Sequence, residues 1–354
     1  MKDRSRWLPA AQARAPLYAG VDLGGTNIKV GLVDDAGRTL AFHTEPTLVE
    51  RGPEDVCRRM GQAVQTVASL AGVPVERIAR AGLGTPGPQD LAGGWIIHAG
   101  NFPGFEGFNV RDAVSRHSGL PVTFANDATA AGYGEYWIGS GKGLTSLVLL
   151  TLGTGVGGGI VIGEATVDGA HSHASECGHI IVDPSAGARK CPCGQTGHLE
   201  AYASATSLVL MAREAVAAGQ APALARALAG GVELTPILIG GLAREGDVPA
   251  MDLILESARW LGIGIVSLLH TLDPACVVLG GAMSFGGEDD IVGWRFIVRI
   301  RQEIQARAFA ILAEQTPIRF AMLGGDAGYI GAAGLARLEH RRLSGATLPA
   351  PQSL

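Results

Sequence analysis

The sequence predicts an α/β fold with two domains. Segments of strand character alternate with segments whose apolar residues have helical spacing, which is the pattern of α/β proteins. The length of 354 residues indicates roughly two domains, at about 150 residues each. A strand, a glycine-rich turn with a threonine and a second strand occur at 18–33 and again at 146–162. This weak internal duplication favours two similar lobes.

The individual elements follow from apolar patterning and turn residues. Helical spacing is clearest in 53–71, and the Asp-Asp-Ala-Gly run at 34–37 predicts a hairpin turn. The predicted strands are 17–21, 28–33, 39–43, 78–84, 122–125, 146–152, 160–162, 276–279 and 318–322. The predicted helices are 53–71, a helix starting near 128, 204–230, 249–270, about 290–309 and about 328–340. The run 153–159 is predicted to be a turn.

Composition and charge exclude several classes of protein. With 28 basic and 33 acidic side chains, the net charge is −5, so the sequence indicates no basic surface for nucleic acid. The longest apolar stretches, 146–152 and 260–269, are far shorter than the roughly 18 residues of a membrane-spanning helix, and residues 1–16 lack the apolar run of a signal peptide. Five cysteines without framework spacing favour a reduced, cytoplasmic compartment. The 52 glycines, close to twice the usual share of about 7%, are expected in tight turns or beside a ligand.

The glycine-rich turns match neither of the two common nucleotide motifs. Gly153-x-Gly155-x-x-Gly158 has dinucleotide spacing, but a strand follows where that motif requires a helix. Gly141-Lys142 is followed by glycine rather than by the Ser or Thr of a Walker motif. Two turns with glycines and a Thr hydroxyl remain, either as ordinary hairpin turns or as phosphate-binding turns. The presence of the pair, with Asp22 placed to hold Mg²⁺ through water, favours phosphate.

A cluster of cysteine and histidine predicts a metal site. Cys191, Cys193 and His198 are closely spaced, and His179 lies twelve residues before the first of them. Two thiolates and two imidazoles suit tetrahedral zinc with no open position, which is a structural site. The alternative for His198 is a solvent-facing loop residue. Cys57, Cys177 and Cys276 are expected to be packing residues.

Several of these motifs together resemble a known family. Asp22-Leu-Gly-Gly-Thr-Asn27 and Leu152-Gly-Thr-Gly-Val-Gly-Gly-Gly159 are similar to the phosphate motifs of the actin-like, sugar-kinase superfamily. Glu176-Cys-Gly-His179, followed by Cys191-Pro-Cys-Gly-Gln-Thr-Gly-His-Leu-Glu200, resembles the ROK family of sugar kinases and repressors, over about residues 17–338. The resemblance implies zinc held by the histidine of the Glu-x-Gly-His motif and by three cysteines. In this chain, His198 stands where the third cysteine would be.

The resemblance also implies an architecture. The expected fold is the two-lobed actin-like ATPase (ribonuclease H-like) fold, with an active cleft between the lobes. The expected division is a flexible tail at 1–16, a smaller lobe at 17–127 with a returning helix at about 328–342, a larger lobe with the zinc loop at 128–327, and a flexible tail at 343–354.

Phosphoryl transfer to a hydroxyl requires a carboxylate that accepts the hydroxyl proton. Asp127 follows the strand 122–125 at a strand-to-helix junction, where its side chain either projects into a cleft or caps the helix 128–136. The resemblance implies that Asp127 is the base and that Asn126 binds a sugar hydroxyl.

The remaining site residues are also implied by the resemblance. Glu176, His179 and Glu200 are expected to contact the sugar, since zinc would fix the loop that carries them. Asn101 matches a hexose-contacting asparagine of the family, above a loop at 84–87. An equal alternative is that Asn101 is only a turn residue with a left-handed backbone conformation. The expected ATP contacts are Asp22, Gly24, Gly25, Thr26 and Asn27, then Gly153, Thr154 and Gly155, and for adenosine Gly280 and Gly281. Lys29 is expected to be solvated.

The expected function is that of an ATP-dependent hexose kinase, and a glucokinase acting on the 6-hydroxyl is the favoured kind. The expected cofactors are ATP, Mg²⁺ and a structural Zn²⁺. The expected partners are a small sugar and ATP, with no nucleic acid and no membrane, in a homodimer or homotetramer. The alternatives are an N-acetylglucosamine, N-acetylmannosamine or fructose kinase, a polyphosphate-using glucokinase, or a non-catalytic ROK sugar-sensing regulator. ROK repressors carry an N-terminal helix-turn-helix domain, for which the 16 residues before Leu17 are too few. An actin-type or chaperone-type ATPase has no sugar site that needs a Cys/His loop.

Overall fold

The computed structural model of the protein describes residues 7–98, 100 and 102–345. Its strands are β1 (Leu17–Leu23), β2 (Asn27–Asp34), β3 (Thr39–Pro46), β4 (Ile78–Thr85), β5 (Gln89–Asp90), β6 (Trp95–Ile96), β7 (Val122–Asn126), β8 (Ser146–Leu152), β9 (Val156–Ile162), β10 (Ala165–Thr166), β11 (Val277–Gly281) and β12 (Ile318–Phe320). Its α-helices are α1 (Pro53–Leu70), α2 (Val110–Ser118), α3 (Asp127–Trp137), α4 (Glu200–Ala203), α5 (Ala205–Ala217), α6 (Pro222–Ala229), α7 (Pro236–Arg244), α8 (Val248–Leu272), α9 (Ile291–Arg307), α10 (Ala310–Gln315) and α11 (Ala327–Leu343).

Two five-stranded sheets have equivalent strand orders. The first is β3-β2-β1-β4-β7, in which β1, β2 and β3 are antiparallel neighbours and β1, β4 and β7 run parallel. The second is β10-β9-β8-β11-β12. In this sheet, β10 is antiparallel to β9, whereas β8, β11 and β12 run parallel to one another. This equivalence agrees with the internal duplication that the sequence predicts.

The chain divides into two compact units. The first contains the described residues through Ser146, Gly159–Ser175 and those from Met322 onward, and the second contains Leu147–Gly158 and Glu176–Ala321. This division differs from the predicted boundary at 127/128. The physical reason is that α3 packs along α11, which ties residues 128–146 to the first unit.

Two helical layers cover the first sheet. One cluster of buried residues includes Ala19 and Val21 from β1 and Val64 from α1, and α2 packs against β7 on this side. The other cluster joins Tyr18 of β1 to Ile330 of α11. Successive residues of a strand point to opposite faces, so β1 serves both layers.

Two glycines let α11 lie directly on the sheet. A Cβ atom at Gly20 of β1 would stand 1.8 Å from the Tyr329 carbonyl oxygen, and one at Gly82 of β4 would stand 1.8 Å from the Ala332 carbonyl oxygen. Any side chain at these positions would force the helix away from the sheet. The unusual glycine content therefore has one structural use here, which is close approach of helix and sheet backbones.

The structure corrects several predicted elements. The turn after β8 covers only 153–155, because Val156 already begins β9. The predicted helix 204–230 is two helices, α5 and α6, separated where Gly219 has a φ of 72° and Pro222 begins α6. Helices α2, α4, α7 and α10 were not predicted. The described part of the predicted N-terminal tail is bonded to the sheet, since Leu8 N–H donates to the Thr39 carbonyl at 3.0 Å.

Helix α8 is the most apolar long helix of the described residues. By length and composition alone it is able to cross a membrane, with a mean hydropathy of 1.3 over its 18-residue window. Half of that window is buried, and α8 packs against α7 and α9 in the second unit. A core helix passes the same test, and its packing is that of a core helix.

Helix α3 begins with a side-chain cap. The Asn126 Oδ1 atom accepts hydrogen bonds from Ala128 N at 2.8 Å and from Thr129 N at 3.2 Å. These bonds satisfy two of the N–H groups that a helix leaves unpaired at its start. Asn126, and not Asp127, is therefore the capping residue, and Asp127 is the first residue of the helix.

We expect Asn126→Ala to lower the free energy of unfolding by about 1 kcal/mol, because alanine cannot accept these two bonds. Asn126→Ser is the matched control, since a serine hydroxyl caps about as well as an asparagine amide. Urea denaturation followed by circular dichroism measures both. Equal stability of wild type and the alanine variant would contradict the capping role.

Candidate active site

The turn between β1 and β2 presents exposed backbone. Gly24 N–H donates to the Asn27 carbonyl at 3.0 Å, and the Thr47 hydroxyl donates to the Gly24 carbonyl at 2.6 Å. Gly25 and Thr26 are exposed, and no atom lies within 4 Å of where a Cβ of Gly25 would be. A fixed turn with open space at its glycine suits an anionic oxygen.

Asp22 lies at the end of β1 beside this turn. Its carboxylate is 17% exposed and lies 3.6 Å from the Lys29 ammonium, which also donates to the Gly325 carbonyl at 3.1 Å. Lys29 is thus paired, although its side chain stays 34% exposed, so the expected solvated position is correct only in part. Burial raises the pKa of Asp22, and Lys29 opposes that rise. A Cβ at Gly328 would stand 2.6 Å from the Asp22 carboxyl carbon, so the first turn of α11 lies against this carboxylate.

Asp127 lies at the same edge of the first sheet. Asp22 pairs in register with Gly84 of β4, and Ala125 of β7 pairs with the same glycine. The carboxyl ends of the three parallel strands therefore meet at one edge, with Asp22 and Asp127 two strands apart, or about 10 Å. Asp127 is half-buried, and its Oδ1 accepts a hydrogen bond from Ala128 N at 2.8 Å.

The loop after β4 approaches Asn126. The Asn126 amide donates to the Gly87 carbonyl at 3.4 Å, and buried Gln89 donates to the Thr85 carbonyl at 2.7 Å. The loop at 84–87 is thus fixed beside the start of α3. Asn101, which the sequence places above this loop, lies outside the described residues.

The turn after β8, in the second unit, is fixed by hydrogen bonds within the turn and from the start of α5. Gly153 N–H donates to the Gly155 carbonyl at 3.0 Å. The start of α5 contacts the same turn, through Ala205 N to the Gly153 carbonyl at 2.8 Å and the Thr206 hydroxyl to the Thr154 carbonyl at 2.7 Å. The Thr154 side chain remains exposed.

A cavity of about 400 Å³ adjoins this turn within the second unit. Its lining includes Gly153 and Thr154, the start of α7, and the segment after β11: Ala205, Thr235, Pro236, Ile237, Gly240, Arg244, Ala282, Ser284, Phe285 and Gly286. Gly280 and Gly281 precede that segment, and a Cβ at Gly281 would stand 2.4 Å from the Leu152 carbonyl oxygen. The sequence analysis missed the contribution of α7, although Thr235-Pro236 is a helix-start signal.

Four predicted metal ligands come together in the second unit. The ligand atoms of His179, Cys191, Cys193 and His198 all lie within 4.8 Å of one another, and Cys193 Sγ is 3.3 Å from His198 Nδ1. Tetrahedral zinc with thiolate and imidazole ligands separates its ligand atoms by about 3.3–3.8 Å. The donor set thus fits zinc, and Cys193 and His198 already stand at the separation of two zinc ligands.

The surroundings of His179 also fit a metal ligand. His179 Nδ1 is buried and has no hydrogen-bond partner among the residues that the structure describes, and Glu176 Oε2 lies 3.5 Å from it. A carboxylate beside one ring nitrogen commonly orients a histidine whose other nitrogen binds metal. The nearby Glu176 raises the pKa of His179, whereas burial raises the pKa of the Cys191 thiol to about 12. Metal binding at Cys191 must therefore release a proton.

Glu200, at the start of α4, contacts both the metal cluster and the glycine turn. Its Oε2 accepts a hydrogen bond from Val156 N at 2.9 Å, and its Oε1 lies 3.7 Å from Cys191 Sγ. The structure thus brings Glu176, His179 and Glu200 into one neighbourhood of the second unit.

Comparison with known proteins extends these observations. The sequence model of the ROK family matches residues 18–339. A glucokinase of Halalkalibacterium halodurans is 34% identical over 326 residues, which cover 92% of this chain and 96% of that protein. A solved ROK hexokinase from Thermus thermophilus has a TM-score of 0.77 and 34% identity, over 92% of this chain and 99% of that one.

A second solved structure is a ROK family glucokinase from Streptomyces griseus in complex with glucose and AMPPNP. Its TM-score is 0.73 at 34% identity, over 91% of this chain and 99% of that one. These similarities, with the two sheets and mixed α/β content, confirm the predicted actin-like ATPase fold class. The family match covers the range in which the sequence motifs lie, and the chain belongs to the ROK family.

Proposed function

We propose that this protein is an ATP-dependent hexose kinase, a glucokinase that transfers the γ-phosphoryl group of ATP to the 6-hydroxyl of glucose. The observation that carries the proposal is the placement of Asp22 and Asp127 at one edge of the first sheet, two strands apart. This spacing leaves room for a phosphoryl group between a metal-holding carboxylate and a base. The 34% sequence identity to glucokinases supports glucose as the substrate.

In the proposed reaction, Asp127 accepts the proton of the 6-hydroxyl as the oxygen attacks the γ-phosphorus. The new O–P bond forms while the bond between the γ-phosphorus and the bridging oxygen breaks, and ADP leaves. The Asn126 cap keeps Asp127 at the first position of α3, and Asn126 also serves as a sugar ligand through its amide group. Mg²⁺ held near Asp22 would neutralise charge on the phosphates.

The two glycine turns are the proposed phosphate-binding elements. Gly24, Gly25, Thr26 and Asn27 form one, and Gly153, Thr154 and Gly155 form the other. The 400 Å³ cavity beside the second turn suits a nucleoside, and the segment beginning at Gly280 and Gly281 leads into its lining. Apolar Ile237 and Phe285 in that lining would face the purine ring.

The proposed sugar contacts are Glu176, His179 and Glu200, with Asn101 as a further contact that the family resemblance implies. Ionised carboxylates accept strong hydrogen bonds from hydroxyl groups. The proposed zinc ion, bound by His179, Cys191, Cys193 and His198, would fix the loop that carries these carboxylates. We also propose a cytoplasmic location, which the five free thiols favour, and a homodimer or homotetramer, as the family resemblance implies.

We expect strong ADP release with Mg-ATP and glucose, and weak release with mannose, fructose, N-acetylglucosamine and N-acetylmannosamine. A coupled assay across the five sugars measures this, with polyphosphate as an alternative donor. Preference for an N-acetylated sugar would change the substrate and keep the reaction. No turnover with any sugar by zinc-loaded protein would overturn the kinase proposal in favour of a sugar-sensing regulator.

We expect Asp127→Asn to lower kcat by about 10²–10⁴-fold with little change in glucose affinity, because the amide cannot accept the hydroxyl proton. Asp112→Asn is the matched control, since Asp112 also lies in the first turn of a helix of the first unit and is exposed. Steady-state kinetics and glucose titration measure both variants. A kcat near that of wild type would remove Asp127 from the role of base.

We expect the purified protein to hold one zinc ion per chain and Cys191→Ser to lose it, because serine is a poor zinc ligand. Zinc affinity should also fall as pH falls, since the Cys191 thiol must lose its proton to bind. Elemental analysis after dialysis measures the metal, with Cys276→Ser as the control at a buried cysteine outside the cluster. Unchanged zinc in Cys191→Ser would refute the assignment.

A further inference from the structure

Val156, the first residue after the Gly153–Gly155 turn, is contacted on both of its backbone polar groups. Its N–H donates to Glu200 Oε2 at 2.9 Å. Its carbonyl oxygen packs directly on Gly178, since a Cβ atom at Gly178 would stand only 2.1 Å from that oxygen. Val156 is itself 3% exposed, so water does not replace these contacts easily. The position of the turn therefore depends on two segments that are distant from it in sequence.

Both of those segments carry metal ligands. Gly178 immediately precedes His179 in a short 3₁₀ turn, Cys177–His179. Glu200 follows His198 by two residues, and its second carboxylate oxygen lies 3.7 Å from Cys191 Sγ. A metal ion that draws His179, Cys191 and His198 together would therefore fix the two groups that contact Val156.

The turn is also shaped to receive the Glu200 carboxylate. A Cβ at Gly155 would stand 2.3 Å from Glu200 Oε2, so the absence of a side chain lets the carboxylate lie directly against the turn. A backbone N–H bonded to a carboxylate makes a charge-assisted hydrogen bond, which is stronger than a neutral one. Loss of this bond would leave the Val156 N–H buried and unpaired.

We propose that the metal cluster positions the phosphate-binding turn through Glu200 and Gly178, so that metal occupancy controls nucleotide affinity even without sugar. Glu200 is then a positioning residue for ATP, in addition to its sugar contact. The inference rests on the proposed function in two respects, the binding of ATP phosphates by the Gly153–Gly155 turn and the binding of zinc by the four clustered ligands.

The test is the Kd of AMPPNP with Mg²⁺, measured by calorimetry on sugar-free, full-length protein. We expect metal-depleted wild type and Glu200→Ala to bind about 10-fold or more weakly, because a buried charge-assisted bond is lost. Adding zinc chloride should restore the depleted protein but not Glu200→Ala. Glu200→Gln should stay close to wild type, since its amide oxygen still accepts from Val156 N. Glu256→Ala, which removes an exposed carboxylate from α8 of the same unit, is the matched control.

The outcomes separate this inference from the proposed function. Unchanged AMPPNP affinity in Glu200→Ala and in metal-depleted protein, while wild type binds well, overturns the coupling and leaves the kinase standing. Absence of AMPPNP binding by zinc-loaded wild type overturns the nucleotide assignment itself. Far-UV circular dichroism and zinc content are recorded for each sample. If either Glu200→Ala or metal-depleted wild type loses its native spectrum, the AMPPNP affinity of the other sample decides whether the coupling exists. This is possible because the first sample changes the residue and the second changes only the metal content.

Discussion

The close packing of α11 on the first sheet determines where the charged groups of the first unit lie. The helix rests on Gly20 and Gly82 with its carbonyl groups almost on the strands, and its first turn touches Asp22 through Gly328. A Cβ at Gly331 would stand 1.6 Å from the Ala130 carbonyl oxygen, so α3 is held equally close. Asp127, at the start of α3, depends on the same packing. Both carboxylates are thus positioned by backbone surfaces that tolerate no side chain.

The second unit combines such packing, at Gly155, Gly178 and Gly281, with polar contacts. Its glycine turn is held by the start of α5 and by the Glu200 carboxylate, and Glu200 in turn lies beside Cys191. A contact of this kind depends on the protonation and ligation of its neighbours, whereas glycine packing does not.

The sequence predicts the larger part of the fold because its strands and turns carry local signals. The hairpin at Asp34–Gly37 and helix α1 follow from spacing, and the structure has them; it also brings the four predicted metal ligands into one cluster. The beginning of β9 at Val156 could not be predicted, since glycine is depleted in strands and the Gly157–Gly159 run is a strand only through its place between β8 and β10. A helix cap at this junction was considered only for Asp127, as the alternative to its role as base, whereas the cap is its neighbour Asn126, because either residue type caps a helix. The link between Glu200 and Val156 spans 44 residues and has no local signal.

The glycines of this chain fall into two kinds, which matters to anyone who would engineer its stability. Gly20, Gly82 and Gly331 are crowded by carbonyl oxygens, and replacement there would break the packing of the first unit. Among the described residues, Gly25 and Gly153 have empty space where a Cβ atom would lie, but that space adjoins the turn backbone that we propose to bind phosphate. Gly241 lies within α7 with no neighbouring atom in the way, so an alanine there would remove backbone freedom from the unfolded chain at no steric cost. The search for a more heat-resistant variant therefore begins at helix interiors and leaves the turns untouched.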